Sequence, residues 1–307
     1  MIDYLPSEPI PGTSKRSLDR FINIADVTIS LASDHATLPL RIGGALEKFL
    51  VGAGDADIHL RVSFGDLSKA ACGEKIFDSG GLWQLFSSNK SYRFRFRSDI
   101  YGALPYKEAI FNFDFTVGNI ELHQPYFASS PEAYPLEYPL DELLLIHLLA
   151  RGRGAEVHAC GVVDDLGNGR LFIGQSGAGK TTMARLWEKK KNITILSDDR
   201  IVLRNMNNRI WMYGTPWHGE AMLSDPSCAP LTRICFLQHG QKNKLFPQTK
   251  TEAVERLFAC SFPPFYSSEA LDFTLAFFEE IVEAVPCYEL SFVPDAGVVQ
   301  FIEQVTA

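Results

Sequence analysis

Residues 174–181 read Gly174-Gln175-Ser176-Gly177-Ala178-Gly179-Lys180-Thr181, a full G-x-x-x-x-G-K-[ST] phosphate-binding loop. Each residue type there has a chemical reason. Glycines let successive backbone N–H groups close around phosphate oxygens without Cβ clashes. A helix starting directly behind the loop adds its own unpaired N–H groups and the positive end of its dipole. Lys180 is placed to reach the β- and γ-phosphates, and the Thr181 hydroxyl to ligate Mg²⁺. With Thr182 beside them, these residues form the expected nucleotide-binding set, with ATP and Mg²⁺ as the expected cofactors.

Eighteen residues beyond Lys180, the apolar run Ile193–Leu196 ends in Ser197-Asp198-Asp199-Arg200. The loop helix and its return crossover fill that interval, so the acidic pair should arrive at a strand end beside the phosphates. One carboxylate there can hold Mg²⁺, directly or through water. The other can take a proton from an attacking hydroxyl. An Asp-Asp pair is also ordinary turn material, and the spacing from the loop favours chemistry. His158 lies sixteen residues before the loop, in an apolar strand where a histidine by itself is more often a core residue. His147, in the apolar stretch 141–150, reads as core. His218 and Glu220 sit in GTPWHGE (214–220), whose Pro216 and Trp217 read equally as a wall over a ligand or as a rigid aromatic turn.

Several elements must position these groups. EVHACGVV (156–163) and Arg170–Ile173 are strands separated only by residues 164–169, with the turn Leu166-Gly167-Asn168-Gly169, and strands so close pair antiparallel. The second runs straight into the loop. A helix over 180–190, ending in three lysines that suit its dipole, leads to the strand carrying the acidic pair. A hairpin follows at 201–203 and 210–213, turning at Asn205–Asn208. The patterning then predicts a strand at 231–237, helices at 251–260 and 268–284, a strand at 287–293 and a last helix capped by Asp295.

Residues 1–25, with Pro6, Pro9, Pro11 and Gly12, read as an extended lead-in. From there to about 127 the alternation is β-like: Val27/Ile29/Leu31, Leu60/Val62/Phe64, and Tyr92/Phe94/Phe96 opposite Arg93/Arg95/Arg97. The arginine face reads as solvated or as a landing surface for an acidic segment. Phe111, Phe113, Phe115 and Val117 share a face, and Gly118-Asn119 signals a hairpin turn. A short helix is expected near 43–52. Ser129, Ser130, Pro131, Pro135 and Pro139 mark a linker, and Asp141–Ala150 a buried helix ended by Gly152 and Gly154. The expected class is mixed α/β: a mainly antiparallel β domain over 1–135 and a phosphate-loop domain with a mixed sheet over 136–307.

Composition narrows the function. The 307 residues are 46% hydrophobic and 21% charged, enough for a substantial core. With 29 Lys+Arg against 37 Asp+Glu the net charge is -8, which disfavours nucleic acid and anionic membranes as main partners. No apolar run approaches the ~20 residues of a membrane span. The first residues have no signal-peptide pattern, and six scattered cysteines (72, 160, 228, 235, 260, 287) suit a reducing cytoplasm. No HxxxH, HExxH or CxxC spacing offers a structural metal site.

Taken together, His158, the loop Gly174–Thr181 and Asp198-Asp199-Arg200 resemble the catalytic domain of HPr kinase/phosphorylase, which is itself similar to phosphoenolpyruvate carboxykinase in its nucleotide-binding core. The resemblance spans roughly 140–307. GTPWHGE and the closing CYELSFVPD look more like the HPr-kinase-related proteins found beside peptide-modification genes, lasso-peptide kinases among them. The family's glycine-rich signature after the acidic hairpin is absent; Trp211-Met212-Tyr213-Gly214 stands there. The resemblance implies Asp198 as general base, Asp199 near the metal, and His158, with Lys180, at the transferred phosphate. The expected activity is transfer of the γ-phosphate of ATP to a Ser or Thr hydroxyl of a protein or peptide. A small-molecule hydroxyl kinase and a non-catalytic nucleotide-binding partner remain open, as does homo-oligomerisation.

Overall fold

The computed structural model describes residues 19–34, 40–69, 73–88, 91–127 and 133–306. The lead-in prolines, Cys72, Ser129, Ser130 and Pro131 lie outside them. Nine strands form a first sheet: β1 (Arg20–Ile24), β2 (Val27–Ser33), β3 (Leu50–Val51), β4 (Ile58–Gly65), β5 (Glu74–Asp78), β6 (Trp83–Ser87), β7 (Ser91–Ser98), β8 (Gly102–Asn112) and β9 (Val117–His123). A 3-10 helix, Gly44–Phe49, occupies the position expected for a short helix. The spatial order is β3-β1-β2-β4-β9-β8-β7-β6-β5. Most neighbours are antiparallel, but β2–β4 and β4–β9 are parallel. Both parallel pairs are bridged by long connections, as parallel pairing requires.

Two local expectations change. The β8–β9 turn lies at 113–116, where Asn112 Oδ1 accepts the N–H groups of Thr116 and Val117 and Phe115 takes a positive φ of 56°. Gly118 instead pairs opposite Phe111 inside the ladder, where an added Cβ would sit 2.6 Å from the Phe111 ring. The glycine permits a close approach. The arginine face is also no open surface: Arg93 and Arg95 both pair with the buried Glu108, reached across the β7–β8 ladder, while Arg97 is exposed.

After the short α1 (Gln124–Phe127), α2 (Leu140–Leu149) is buried on nearly every side. Its leucines 140, 143, 144, 145, 148 and 149 join the core of the first sheet, together with Val202, Tyr213 and Trp217 from the second half of the chain. That core runs across the division expected near residue 135.

The second half contributes β10 (Ala155–Val163), β11 (Gly169–Ile173), α3 (Lys180–Glu188), β12 (Thr194–Ser197), β13 (Arg200–Met206), β14 (Arg209–Tyr213), β15 (Cys228–His239), β16 (Lys244–Pro247), α4 (Lys250–Ala259), α5 (Ser268–Ala284), β17 (Cys287–Phe292) and α6 (Gly297–Thr306). β10 and β11 are antiparallel, and β11, β15 and β17 run parallel. The β13–β14 turn uses Asn207-Asn208, both at positive φ as a two-residue hairpin requires. β16 has no counterpart in the sequence reading: four residues beginning with Lys244 and ending in Pro247 carry too little alternation, and β17 supplies the partner. One face of this sheet packs on α4 and α5, the other on α3 and α6. The caps agree with their elements. Thr249 and Glu252 close a capping box on α4, Ser267 caps α5, and Asp295 accepts the Gly297 N–H. α3 stops at Glu188, before its lysines, and Lys190 pairs with Glu303 of α6.

Candidate active site

The phosphate loop leaves β11 and ends at the first turn of α3. Its tightness depends on glycine: a Cβ on Gly174 would lie 2.4 Å from the Ala178 Cβ, and Gly177 and Gly179 take φ of 82° and 103°. Gln175, Ser176 and Gly177 are exposed, so the loop backbone faces solvent. Ala178 donates to the Gln175 carbonyl, and His239 Nε2 donates to the Gly177 carbonyl at 3.0 Å, tying the loop to the end of β15. Lys180 folds over its own loop, its Nζ donating to Gly174 O at 2.8 Å and Gln175 O at 3.3 Å. Burial pulls the Lys180 ammonium below its usual range, against the opposing field of Asp199. Thr181 and Thr182 are half-buried on the first turn.

The acidic pair falls where β10 changes partner. Its first half pairs with β13, setting His158 opposite Arg200, and its second half pairs with β12, setting Gly161 opposite Ser197. Asp198 and Asp199 lie in the gap, and the Asp199 carbonyl accepts the Ala159 N–H. This register brings His158 to Asp199: Nε2 donates to Oδ1 at 2.8 Å. The other oxygen, Oδ2, pairs with Arg200. Burial pushes the Asp199 carboxyl up, but the His158 hydrogen bond and the charges of Arg200, His158 and Lys180 outweigh it and hold the carboxyl below the usual range. Lys180 and Asp199 thus share one electrostatic neighbourhood.

Asp198 is placed differently. It is fully buried, and its oxygens accept three backbone N–H groups: Gly219 at 2.9 Å, Ala221 at 3.0 Å and Leu223 at 3.3 Å. It anchors the 219–223 loop and has no surface exposed to solvent. The general-base role implied for Asp198 does not suit a carboxylate so enclosed; of the two, Asp199 is the solvent-reachable one, its side chain 26% exposed. The donors that claim Asp198 lie downstream, Gly219 in the GTPWHGE segment and Ala221 and Leu223 just past it.

Behind Asp199 lies a layer the sequence reading did not single out. Arg200 Nε bonds Glu142 at 2.9 Å and lies 3.3 Å from Glu156, and its guanidinium sits 4.1 Å over the Phe262 ring. Burial, then the neighbouring Glu142, raises the Glu156 carboxyl well above its usual range. Glu142 and Glu156 therefore hold one guanidinium, which holds Asp199. His147 is core as expected: buried, hydrogen-bonded to the Leu143 carbonyl and to Tyr266, and stacked on Phe115. Pro216, Trp217 and His218 form one wall of a cavity between the two halves of the chain. Glu220 is exposed at the start of the anchored loop. Among the described residues no cluster of three His, Cys, Asp or Glu side chains forms a ready-made metal cage, and no helix is long and apolar enough to cross a membrane.

No family model matches the chain, and no curated protein matches it. Among solved structures it is similar to the Hpr(Ser) kinase/phosphatase from Coxiella burnetii, at 14% identity over 49% of this chain and 93% of that one, with a TM-score of 0.29.

Proposed function

We propose that the chain is an ATP- and Mg²⁺-dependent phosphotransferase that moves the γ-phosphate to a hydroxyl, a Ser or Thr of a protein or peptide. The observation that carries this reading is the strand register: Ala159 pairs on one side with Ile173, which leads into the phosphate loop, and on the other donates to the carbonyl of Asp199, a histidine-bound, solvent-reachable carboxylate. Nucleotide binding alone would need the loop and no second acid. The loop amides and Lys180 fit a polyphosphate, and the Thr181 hydroxyl fits a magnesium ion that keeps most of its waters. The metal would offset charge on the phosphate oxygens.

Phosphoryl transfer asks mainly for positioning and charge neutralisation. The α3 N-terminus and Lys180 hold the phosphate chain. Asp199 receives the acceptor's proton, with His158 and Arg200 fixing both carboxylate oxygens. Asp198 keeps the 219–223 loop in place. This assigns to Asp199 the proton-accepting part that the resemblance gave to Asp198. Calorimetry with Mg²⁺ tests the first step: ATP binds the native chain, and Lys180→Ala loses that affinity while its melting temperature stays. Equal affinity in both would overturn the reading.

A further inference from the structure

A cavity of about 200 Å³ lies beside the acidic centre. Its walls come from the 3-10 helix region (Ile42, Leu46), from the segment before α2 (Tyr134, Leu136) and from Trp217. It shares two walls with the site. The Trp217 carbonyl accepts the Ser197 hydroxyl at 3.0 Å, just before the acidic pair. Asp141, which lines the cavity, precedes Glu142, the partner of Arg200.

Size and charge define the occupant. Pockets for drug-sized ligands hold roughly 300–1,000 Å³, so this one suits a single small group. The charged residues around it already have partners. Glu137 Oε1 accepts from Tyr106 at 3.0 Å and from Lys107 at 3.1 Å. Asp141 accepts from Trp217 Nε1 at 2.9 Å and from the Glu142 N–H at 2.8 Å. The Arg41 guanidinium lies 5.4 Å from the centroid of the Tyr134 ring. An ionic ligand would have to compete with these contacts for its counter-charge. Aliphatic and aromatic walls with a polar rim favour a flat, neutral group.

We propose that this cavity takes one monocyclic aromatic group, supplied as a side chain of the acceptor polypeptide near its phosphorylated hydroxyl. The second half of this statement rests on the phosphotransferase reading; the first does not.

The test uses the full chain and p-cresol as probe, followed by saturation-transfer NMR. Two substitutions close the cavity without touching the phosphate loop. Ala45→Phe fills it from the 3-10 helix. Gly43→Ala is the gentler change: its Cβ would lie 2.7 Å from Tyr134 Cε1 and displace that ring. p-Cresol should bind the native chain and Lys180→Ala alike, and at least tenfold more weakly to both cavity variants. Cyclohexylammonium should bind the native chain more weakly than p-cresol. Equal p-cresol binding to native and cavity variants, or none to the native chain, overturns the proposal. For the acceptor, Ser peptides with one Phe scanned across the flanking positions are compared under ATP·Mg²⁺. One Phe position should raise kcat/KM at least tenfold in the native chain, and Ala45→Phe should abolish that preference while ATP affinity stays. Cavity-specific p-cresol binding without any peptide preference would mean a free small aromatic ligand and overturn the acceptor half. Cavity-specific binding in a chain that fails to bind ATP would leave the cavity standing and remove the phosphotransferase reading.

Discussion

Adjacent residues at a strand end face opposite ways, and here that alternation gives two carboxylates different surroundings: Asp198 enclosed by backbone N–H groups, Asp199 open to solvent. Asp198→Asn should be a stability variant. The amide keeps one acceptor oxygen and turns an NH₂ toward backbone N–H groups, so leaving buried donors unpaired should cost about 1–3 kcal/mol, read as a lower urea midpoint. Asp199→Asn should lose some stability, because His158 and Arg200 lose their carboxylate partner, yet stay folded, bind ATP·Mg²⁺ normally and turn over about 10²–10⁴-fold more slowly. If instead Asp199→Asn is rescued by raised Mg²⁺, the residue serves the metal. His147 gives a pH prediction. Burial lowers its imidazole to about 4, from an unfolded value near 6.5. A depressed group stabilises the fold above its unfolded pKa, and that stability drains as the pH falls from about 6.5 to about 4. The amount is roughly 3 kcal/mol. His147→Gln should lose less stability than the native chain between pH 7 and pH 4.5 in urea titrations. The loop's conformation was legible because each glycine of the motif has one local job. The enclosure of Asp198 was not, because Gly219, Ala221 and Leu223 decide it from more than twenty residues away.

At the scale of elements, local signals and partners joined by short connections read well, and distant pairing partners did not. α5 begins and ends at the expected residues 268 and 284, because Ser267 caps it and Val285 and Pro286 end it. The antiparallel β10–β11 pair followed from a connection too short for anything else. Gly118 shows the converse. As a turn residue it was misplaced, since only the ladder reveals the Phe111 ring across from it. Glycine to alanine in a strand ordinarily stabilises by about 0.5–1 kcal/mol. Gly118→Ala should have the opposite sign and cost about 1–3 kcal/mol, because the new methyl would meet Phe111 at 2.6 Å and Leu60 at 3.0 Å. Equilibrium denaturation gives the sign directly. The parallel β2–β4–β9 pairings leave no local trace, since alternation looks the same in either direction.

At the scale of the molecule, the two sheets are tied by more than the chain between them. Arg204 donates to the Ala25 carbonyl at 2.6 Å, Tyr213 to Asp26 at 2.7 Å, Arg153 to Asp57 at 2.8 Å and Lys48 to the Ser224 carbonyl at 2.8 Å. With Val202, Tyr213 and Trp217 inside the first core, the chain should melt in one transition with coincident far-UV and near-UV signals. Residues 1–135 expressed alone should lack a cooperative melt, for they leave the leucines of α2 behind. Two separated transitions would show independent halves.

The same continuous core sets an order of events during synthesis. The first sheet emerges from the ribosome long before Trp217, the last of that core's buried residues among those described, and Tyr266 packs on it later still. At about 5–20 residues per second, the stretch from 135 to 217 takes roughly 4–16 s. For that time an aromatic-rich sheet stands with one face uncovered, a natural substrate for a holdase chaperone until the second half of the chain closes over it.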